Sequence, residues 1–472
     1  MPSDVPPVTE TIARYALEAD VASGPPELTQ RALDALTDTV GVAIAGRGES
    51  GLLSLLRGTR EEYRPGPATI LATGEASSPA YAALVNGMSS HALDYDDVAD
   101  PMYGHPSVAL FPPLLAVAAA EAVPGRELLD AYVVGFQICG AVAAALPIRS
   151  HYSRGWHSTA TIGVIAATAA LARLLRLPVN AAQRALGIAA SSAGGSRQNF
   201  GTQTKPLHPG LSGWSAVTAA RLAQAGFTAD VRQLESPLGY FAMFGDGGDL
   251  GAVARWLRRR WSILEPGAGI NVKKYPCCFN THRTADATLR LASIIPAAET
   301  VTRIALTLEP GGYDPLIHHR PTTGLQGKFS VEYVVAAGLT DGRIGLASFT
   351  DGAVNRADVQ ALLRKVTTAE SATPPFGGSD YTFAYAALEV EAGGRVYRER
   401  VDVPRGHSRS PLDVADLQAK FRDCISYSGV PWDADELLAD IRTVASAETF
   451  SGLPHLTPLP LFERGPAAAG SV

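Results

Sequence analysis

Residues 181–225, AAQRALGIAASSAGGSRQNFGTQTKPLHPGLSGWSAVTAARLAQA, decide how this chain is read. Apolar residues recur with helical spacing from Ala181 to Ala193 and again from Ser212 to Ala225, the mark of two packed helices. Between them, Gly194 to Gly210 holds Arg197, Lys205 and His208 among Gly194, Gly195, Gly201, Pro206, Pro209 and Gly210. Glycine and proline impose irregular backbone. The stretch therefore predicts a basic loop fixed between helices, with its cations aimed into a cleft that suits a small anion.

Outward from this stretch the helical pattern continues in both directions. Glu27 to Ala45, Pro79 to Leu93, Val108 to Ala122, Glu127 to Ala145, Thr159 to Leu177 and Val179 to Ala190 are Ala-rich, and several are apolar all round. Alanine is the best helix former and lets helices approach closely; all-round apolarity marks core helices. After Pro266 the pattern changes. Val301 to Leu308, Tyr385 to Glu391 and Val396 to Val403 alternate like strands, the last two joined by Ala392-Gly393-Gly394-Arg395, a hairpin link. Val354 to Val366, Leu412 to Phe421 and Asp433 to Ala445 read as helices. The expected fold is mainly α with a smaller α+β domain: residues 1–266 form an all-helical domain, helices within 405–465 return to complete it, and 267–404 form the α+β domain.

Bulk properties narrow the function. The 472 residues have room for two or three domains, and only 18% are charged, below the usual quarter, so much of the chain is buried. A net charge of −6 argues against a nucleic-acid partner; the densest basic patch, Arg255, Arg258, Arg259 and Arg260, is short. Four cysteines, two of them adjacent (Cys277 and Cys278), do not make a disulfide scaffold and point to a reducing cytoplasm. The opening MPSDVPPVTE lacks the basic and apolar regions of a signal peptide. Ala131 to Ile148 comes nearest to a membrane span but contains Gln137 and Pro147, and a buried helix fits it better, so no membrane partner is expected.

Five clusters can carry chemistry. In His91-Ala92-Leu93-Asp94-Tyr95-Asp96-Asp97, the three-residue spacing of His91, Asp94 and Asp97 predicts one helical face. With His105 in GHPS this suits proton transfer, a hard-cation site, or simply an acidic helix end. His157 in GWHST precedes an apolar helix, with Ser158 or Thr159 as N-cap; the helix terminus favours a neutral imidazole and attracts carboxylates. Lys205 and His208 make the third cluster, and Lys273-Lys274-Tyr275-Pro276-Cys277-Cys278 the fourth, where the lysines suit carboxylates and the apolar setting keeps the thiols inert. In GKFSVEY, Ser330 is an N-cap and Tyr333 either a donor or a core tyrosine. A P-loop, a GxGxxG following a strand, HExxH and GxSxG are missing from the sequence, so nucleotide cofactors, zinc-protease and serine-hydrolase chemistry lose support.

NGMSSHALDYDD, GHPS, GWHSTATIG, GTQTKPLHPG, KKYPCCFNTH and GKFSVEYVVAAGL, in this order, resemble the MmgE/PrpD family from about residue 8 to 455. The resemblance implies a large helical domain, a smaller α+β lid, a homodimer, and action on small di- or tricarboxylates without a redox cofactor; no metal is expected either, since no spacing in the sequence matches an established metal loop. Activities known in the family are 2-methylcitrate dehydration, cis-aconitate decarboxylation and iminodisuccinate epimerisation. The positions matching its interdomain site are Asp94, His105, His157, Lys205, Lys273 and Tyr333, with His208 and Lys274 beside them. Some members carry histidine in place of Cys278, and the run DYDDVADPMYGHPS departs from the tryptophan-rich form of methylcitrate dehydratases. The family's shared chemistry is proton handling at a carbon next to a carboxylate. It assigns Lys205, Lys273, His208 and Lys274 to the substrate carboxylates, His157 and His105 to acid–base work, Asp94 to orienting one of them, and Tyr333 to a secondary donor. The expectation is a lyase of the dehydratase or decarboxylase kind, with epimerisation as the alternative. A non-catalytic helical interaction protein would instead scatter these side chains over the surface.

Overall fold

The computed structural model describes residues 7–459 apart from 246, 247 and 260, so Arg260 and the end of the 405–465 segment lie outside the described residues. The helices Pro79–His91 and Thr204–Gln224 pack along each other at the centre of the large domain, and Pro106–Glu121, Gly125–Ala145 and Ser158–Leu174 surround them. Gly125–Ala145 is long and apolar enough to cross a membrane, but 89% of its apolar window is buried within the fold.

Two sequence expectations are corrected here. The basic loop is irregular only as far as Gln203, because a helix begins at Thr204, so Lys205 and His208 stand on its first two turns. Pro206 lies in the first turn, where a missing N–H is harmless, and Pro209 is tolerated inside the helix; reading both prolines as loop formers misplaced the boundary. Likewise His91, Asp94 and Asp97 share no helical face. The helix stops at His91 and Asp94 adopts φ +51°, a left-handed turn that a short polar side chain tolerates.

The smaller domain is built on a four-stranded sheet ordered Val366–Glu370, Val301–Leu308, Ala386–Ala392, Arg395–Val401. The first pair is parallel and the others antiparallel. Gly393 and Gly394 both take positive φ (56° and 75°) in the two-residue turn of the final hairpin, which such a turn requires. The helix expected over Val354 to Val366 runs into this sheet at its last residue, Val366. The helix spans only Ala357–Leu363, and the strand's VTTAE is exposed beyond Val366, so its edge position erases the alternation that marks a strand. Helices His282–Ala292 and Val331–Asp341 pack together, and the first also packs on the sheet. The chain then returns: Leu417, Phe421, Leu437 and Ile441 of Val414–Ser428 and Ala434–Thr443 belong to the large domain's core.

Candidate active site

A cavity of about 580 Å³ lies between the two domains. The helical domain contributes Asp94, Tyr103, His105, Tyr152, His157, Phe200 and Lys205, and the smaller domain Lys273, Cys278, Asn280, Arg283, Glu309 and Phe329. His105 and His157 are the residues just before the helices Pro106–Glu121 and Ser158–Leu174. Neither side chain caps its helix; both line the cavity instead, in the positive field of two helix termini. Ser158, expected as a cap, donates from Oγ to the Tyr103 carbonyl at 2.6 Å, and Thr159 Oγ1 accepts the His105 N–H at 3.1 Å. These bonds draw the two termini together. A Cβ at Gly104 would meet the Thr159 nitrogen at 2.9 Å, so only glycine permits the approach.

Asp94 is the electrostatic centre. Lys205 Nζ donates to its Oδ1, while Lys273 Nζ lies 3.1 Å from Oδ2 and donates to the Asp94 carbonyl at 2.7 Å. Burial disfavours the Asp94 charge, but Lys205 and Lys273 outweigh it and hold the carboxyl well below the usual range. Burial likewise opposes the Lys273 ammonium, and Asp94 and Asp96 keep it above its ordinary value. Lys205 Nζ also sits 5.3 Å and 5.2 Å from the ring centres of Phe200 and Phe329.

The orienting role expected of Asp94 falls to Asp96. Its carboxylate accepts from His91 Nδ1 at 2.9 Å and lies 2.8 Å from His105 Nδ1, off the line of a well-aligned bond. His105 Nε2 is 3.8 Å from Asp94 Oδ1. His157 Nδ1 shares a proton with His208 Nδ1 at 2.9 Å, which leaves Nε2 as the His157 nitrogen open to a ligand. Burial, reinforced by Lys205, holds His157 well below its ordinary pKa and pushes His208 down to about 4. His105 is lowered by burial and the lysines against Asp96, and burial takes His91 down to about 3 despite Asp96. All four imidazoles are therefore biased towards the neutral form. Burial raises Cys277 and Cys278, to about 12 and about 11, so neither is a thiolate.

Ring nitrogens of His91, His105 and His157 lie within 4.8 Å of one another, and neutral imidazoles suit transition metals. Lys205 and Lys273 place two ammonium groups against the same space, however, and they oppose a divalent cation there. His91, Asp94, Asp96 and His105 also bring ligand atoms within 4.8 Å of one another, but both lysines are already paired with Asp94, so neither donor set fits a metal well.

Buried lysines also fasten the site together. Lys328 Nζ donates to the carbonyls of Leu93 at 2.7 Å and Pro276 at 2.8 Å. Lys420 Nζ donates to Tyr95 at 2.7 Å and Lys273 at 2.8 Å. With Lys273 they tie the Asp94 turn, from the helical domain, to the first segment of the lid. Burial brings Lys328 down to about 8 against the opposing pull of Glu49 and Asp94.

The amino-acid comparisons agree with this geometry. Residues 10–253 match the MmgE/PrpD N-terminal domain and residues 275–441 the MmgE/PrpD C-terminal domain. The chain belongs to the MmgE/PrpD family. Family relatives include the cis-aconitate decarboxylase of Homo sapiens, 31% identical over 396 residues (81% of this chain and 79% of the human protein), and that of Mus musculus, 31% identical over 360 residues (73% and 71%). The cis-aconitate decarboxylase of Aspergillus terreus is 24% identical over 441 residues, 88% of each chain. These relatives make the protein an enzyme of the lyase kind.

Of the positions assigned from the MmgE/PrpD resemblance, Asp94, His105, His157, Lys205 and Lys273 line one cavity, and His208 backs it through His157. Two do not join them. Tyr333 is buried in the lid core, its hydroxyl donating to the Ser348 carbonyl and its N–H to the Ser330 cap; its position inside an apolar helix is that of a packing residue. Lys274 points away, with Nζ 5.7 Å from the Tyr275 ring centre. Asp97 is also outside the cavity, bonded to Ser107 and pushed up to about 8 by burial and Asp38. Arg197 is interdomain structure: it stacks 3.6 Å from the Tyr152 ring centre and donates to the carbonyls of Tyr152 (2.6 Å) and Asp314 (3.0 Å). Sequence reasoning overlooked Asp96, Arg283, Lys328 and Lys420. For Asp96 and Lys328 the signal was their place inside quoted motifs; Lys420 and Arg283 offered none.

Proposed function

We propose that this chain decarboxylates a small unsaturated tricarboxylate of the cis-aconitate type. The observation that carries the reading is the meeting, in one interdomain cavity, of Lys205 and Lys273 with the neutral histidines His105 and His157. In this reaction the bond to one carboxylate breaks and carbon dioxide leaves. The electron pair shifts through the adjacent double bond to the carbon beside a retained carboxylate, and a proton is delivered there. The product is a 2-methylidene dicarboxylate.

Each requirement has a candidate group. Lys205 and Lys273 hold the carboxylate on which charge accumulates, their ammonium groups preorganised by Asp94. His157 Nε2 delivers the proton. In the empty site its imidazole is neutral because it is buried beside Lys205, and the arriving trianion offsets that field, so substrate binding draws the proton onto the ring. His105, held by Asp96, is the second acid–base group. The chemistry requires no redox cofactor, since the retained carboxylate accepts the charge.

Incubation with cis-aconitate tests this: carbon dioxide equal in amount to the acid consumed is expected. Consumption with a hydroxy acid as the product would make the protein a hydratase–dehydratase, and lack of any turnover would remove the reading. A homodimer is the second part of the proposal. Leu211 and Trp214, each 43% exposed, stand one turn apart on the helix that carries Lys205, and light scattering that returns the monomer mass would dismiss it.

A further inference from the structure

Arg283, the second residue of the lid helix His282–Ala292, is only 7% exposed and lines the cavity. Its Nε donates to the Asp402 carbonyl at 2.8 Å. Its remaining donors make no hydrogen bond, and it forms no ion pair, among the described residues. Its two Nη atoms are not among the buried unpartnered atoms; they open to the cavity, where a ligand can take their free donors. Glu309, the acid on the same wall, instead accepts from the Tyr385 N–H at 3.1 Å.

The charges elsewhere in the cavity show why this matters. Lys205 and Lys273 are both engaged with Asp94, and Asp96 adds a second carboxylate behind His105. Within this cluster two cations and two anions cancel; the rest of the lining adds Arg149 and the acids Asp100, Glu309 and Asp314. A tricarboxylate brings three negative charges into that balance. Arg283 is a further buried cation of the lining; Glu309, Asp100 and Asp402 support its charge from a distance, but none forms an ion pair with it among the described residues, and its planar fork matches a carboxylate in a bidentate pair.

We propose that Arg283 grips, from the lid, a substrate carboxylate that takes no part in bond breaking, and so selects tricarboxylates over dicarboxylates. The inference rests on the polycarboxylate reading above and adds its specificity contact. Calorimetric titration with propane-1,2,3-tricarboxylate, which cannot react, and with 2-methylbutanedioate, which lacks one of its carboxylates, tests it on the wild type, Arg283→Gln and Arg283→Lys. Loss of one charge-assisted contact predicts that R283Q weakens tricarboxylate binding at least ~10-fold and changes the dicarboxylate by less than about threefold, with R283K in between. In turnover of cis-aconitate, KM rises while kcat stays within about threefold. Equal weakening of both acids in R283Q and R283K would mean that Arg283 only supports the fold, and unchanged tricarboxylate binding would equally overturn the proposal. If the wild type binds neither acid, the polycarboxylate reading itself fails, and this inference with it.

Discussion

The two walls of the cavity are built differently. On the helical side, His105 and His157 stand at the starts of long core helices, cross-bonded through Thr159 and backed by Asp96 and His208. On the lid side, Cys278, Asn280 and Glu309 sit on turns and strand ends, and Arg283 keeps most of its donors unused. Proton transfer tolerates little positional error, and rigid elements serve it; recognition of a distal group can be entrusted to a lid. Lys273 belongs to the lid by sequence but is fastened to the helical wall through Asp94, which makes it the joint between the two.

This contrast can be broken in several places. Removing the proton donor from the rigid wall has the largest effect: His157→Gln lowers kcat by at least ~100-fold with an unchanged melting temperature, and near-wild-type turnover would reassign the donor. Lys273→Met strips a buried ion pair and the bond to the Asp94 carbonyl, which predicts a loss of ~3–5 kcal/mol of stability, read by urea unfolding, together with loss of turnover. Arg197→Ala removes the donor to Asp314 across the domain boundary and costs a smaller amount of stability, ~1.5–3 kcal/mol at most, read by urea unfolding; no loss would show that the lid is held by other contacts. Stability also senses pH through His208. It titrates at about 4 when folded but near ~6.5 when unfolded. Below ~6.5 the unfolded chain therefore takes up the proton first, and stability falls as the pH drops from there towards 4, whereas above that window the contribution is intact. His208→Asn removes its share of this slope in thermal scans, while His91, His105 and His157, lowered in the same direction, keep theirs. Smallest of all, Tyr333→Phe leaves kcat within about twofold and costs ~1 kcal/mol for the bond to Ser348; a large kcat loss would return Tyr333 to the chemistry.

What the sequence revealed and what it concealed follow from locality. Helical periodicity and glycine pairs are local, so the core helices and the Gly393-Gly394 hairpin were legible. The edge strand Val366–Glu370 was not, because its exposed face carries no alternation. In the site, His105 and His157 were visible because each stands immediately before an apolar helix. Asp96 was indistinguishable from Asp94 and Asp97 until the helix was seen to end at His91 and the turn at Asp94 to send the three carboxylates to different partners. Lys328, Lys420 and Arg283 act on backbone or cavity far away in sequence, and no local pattern announces such partners. The prolines at 206 and 209 misled in the opposite direction, signalling loop where a helix had begun.

The central claim, that this cavity moves a proton to the carbon beside a carboxylate as carbon dioxide departs, is tested most directly by proton NMR of cis-aconitate turnover in heavy water. The account predicts loss of the substrate's vinyl signal and growth of a 2-methylidene dicarboxylate carrying one deuterium at the carbon next to the retained carboxylate. Deuterium uptake into the starting acid without net consumption would contradict it and indicate exchange or epimerisation instead.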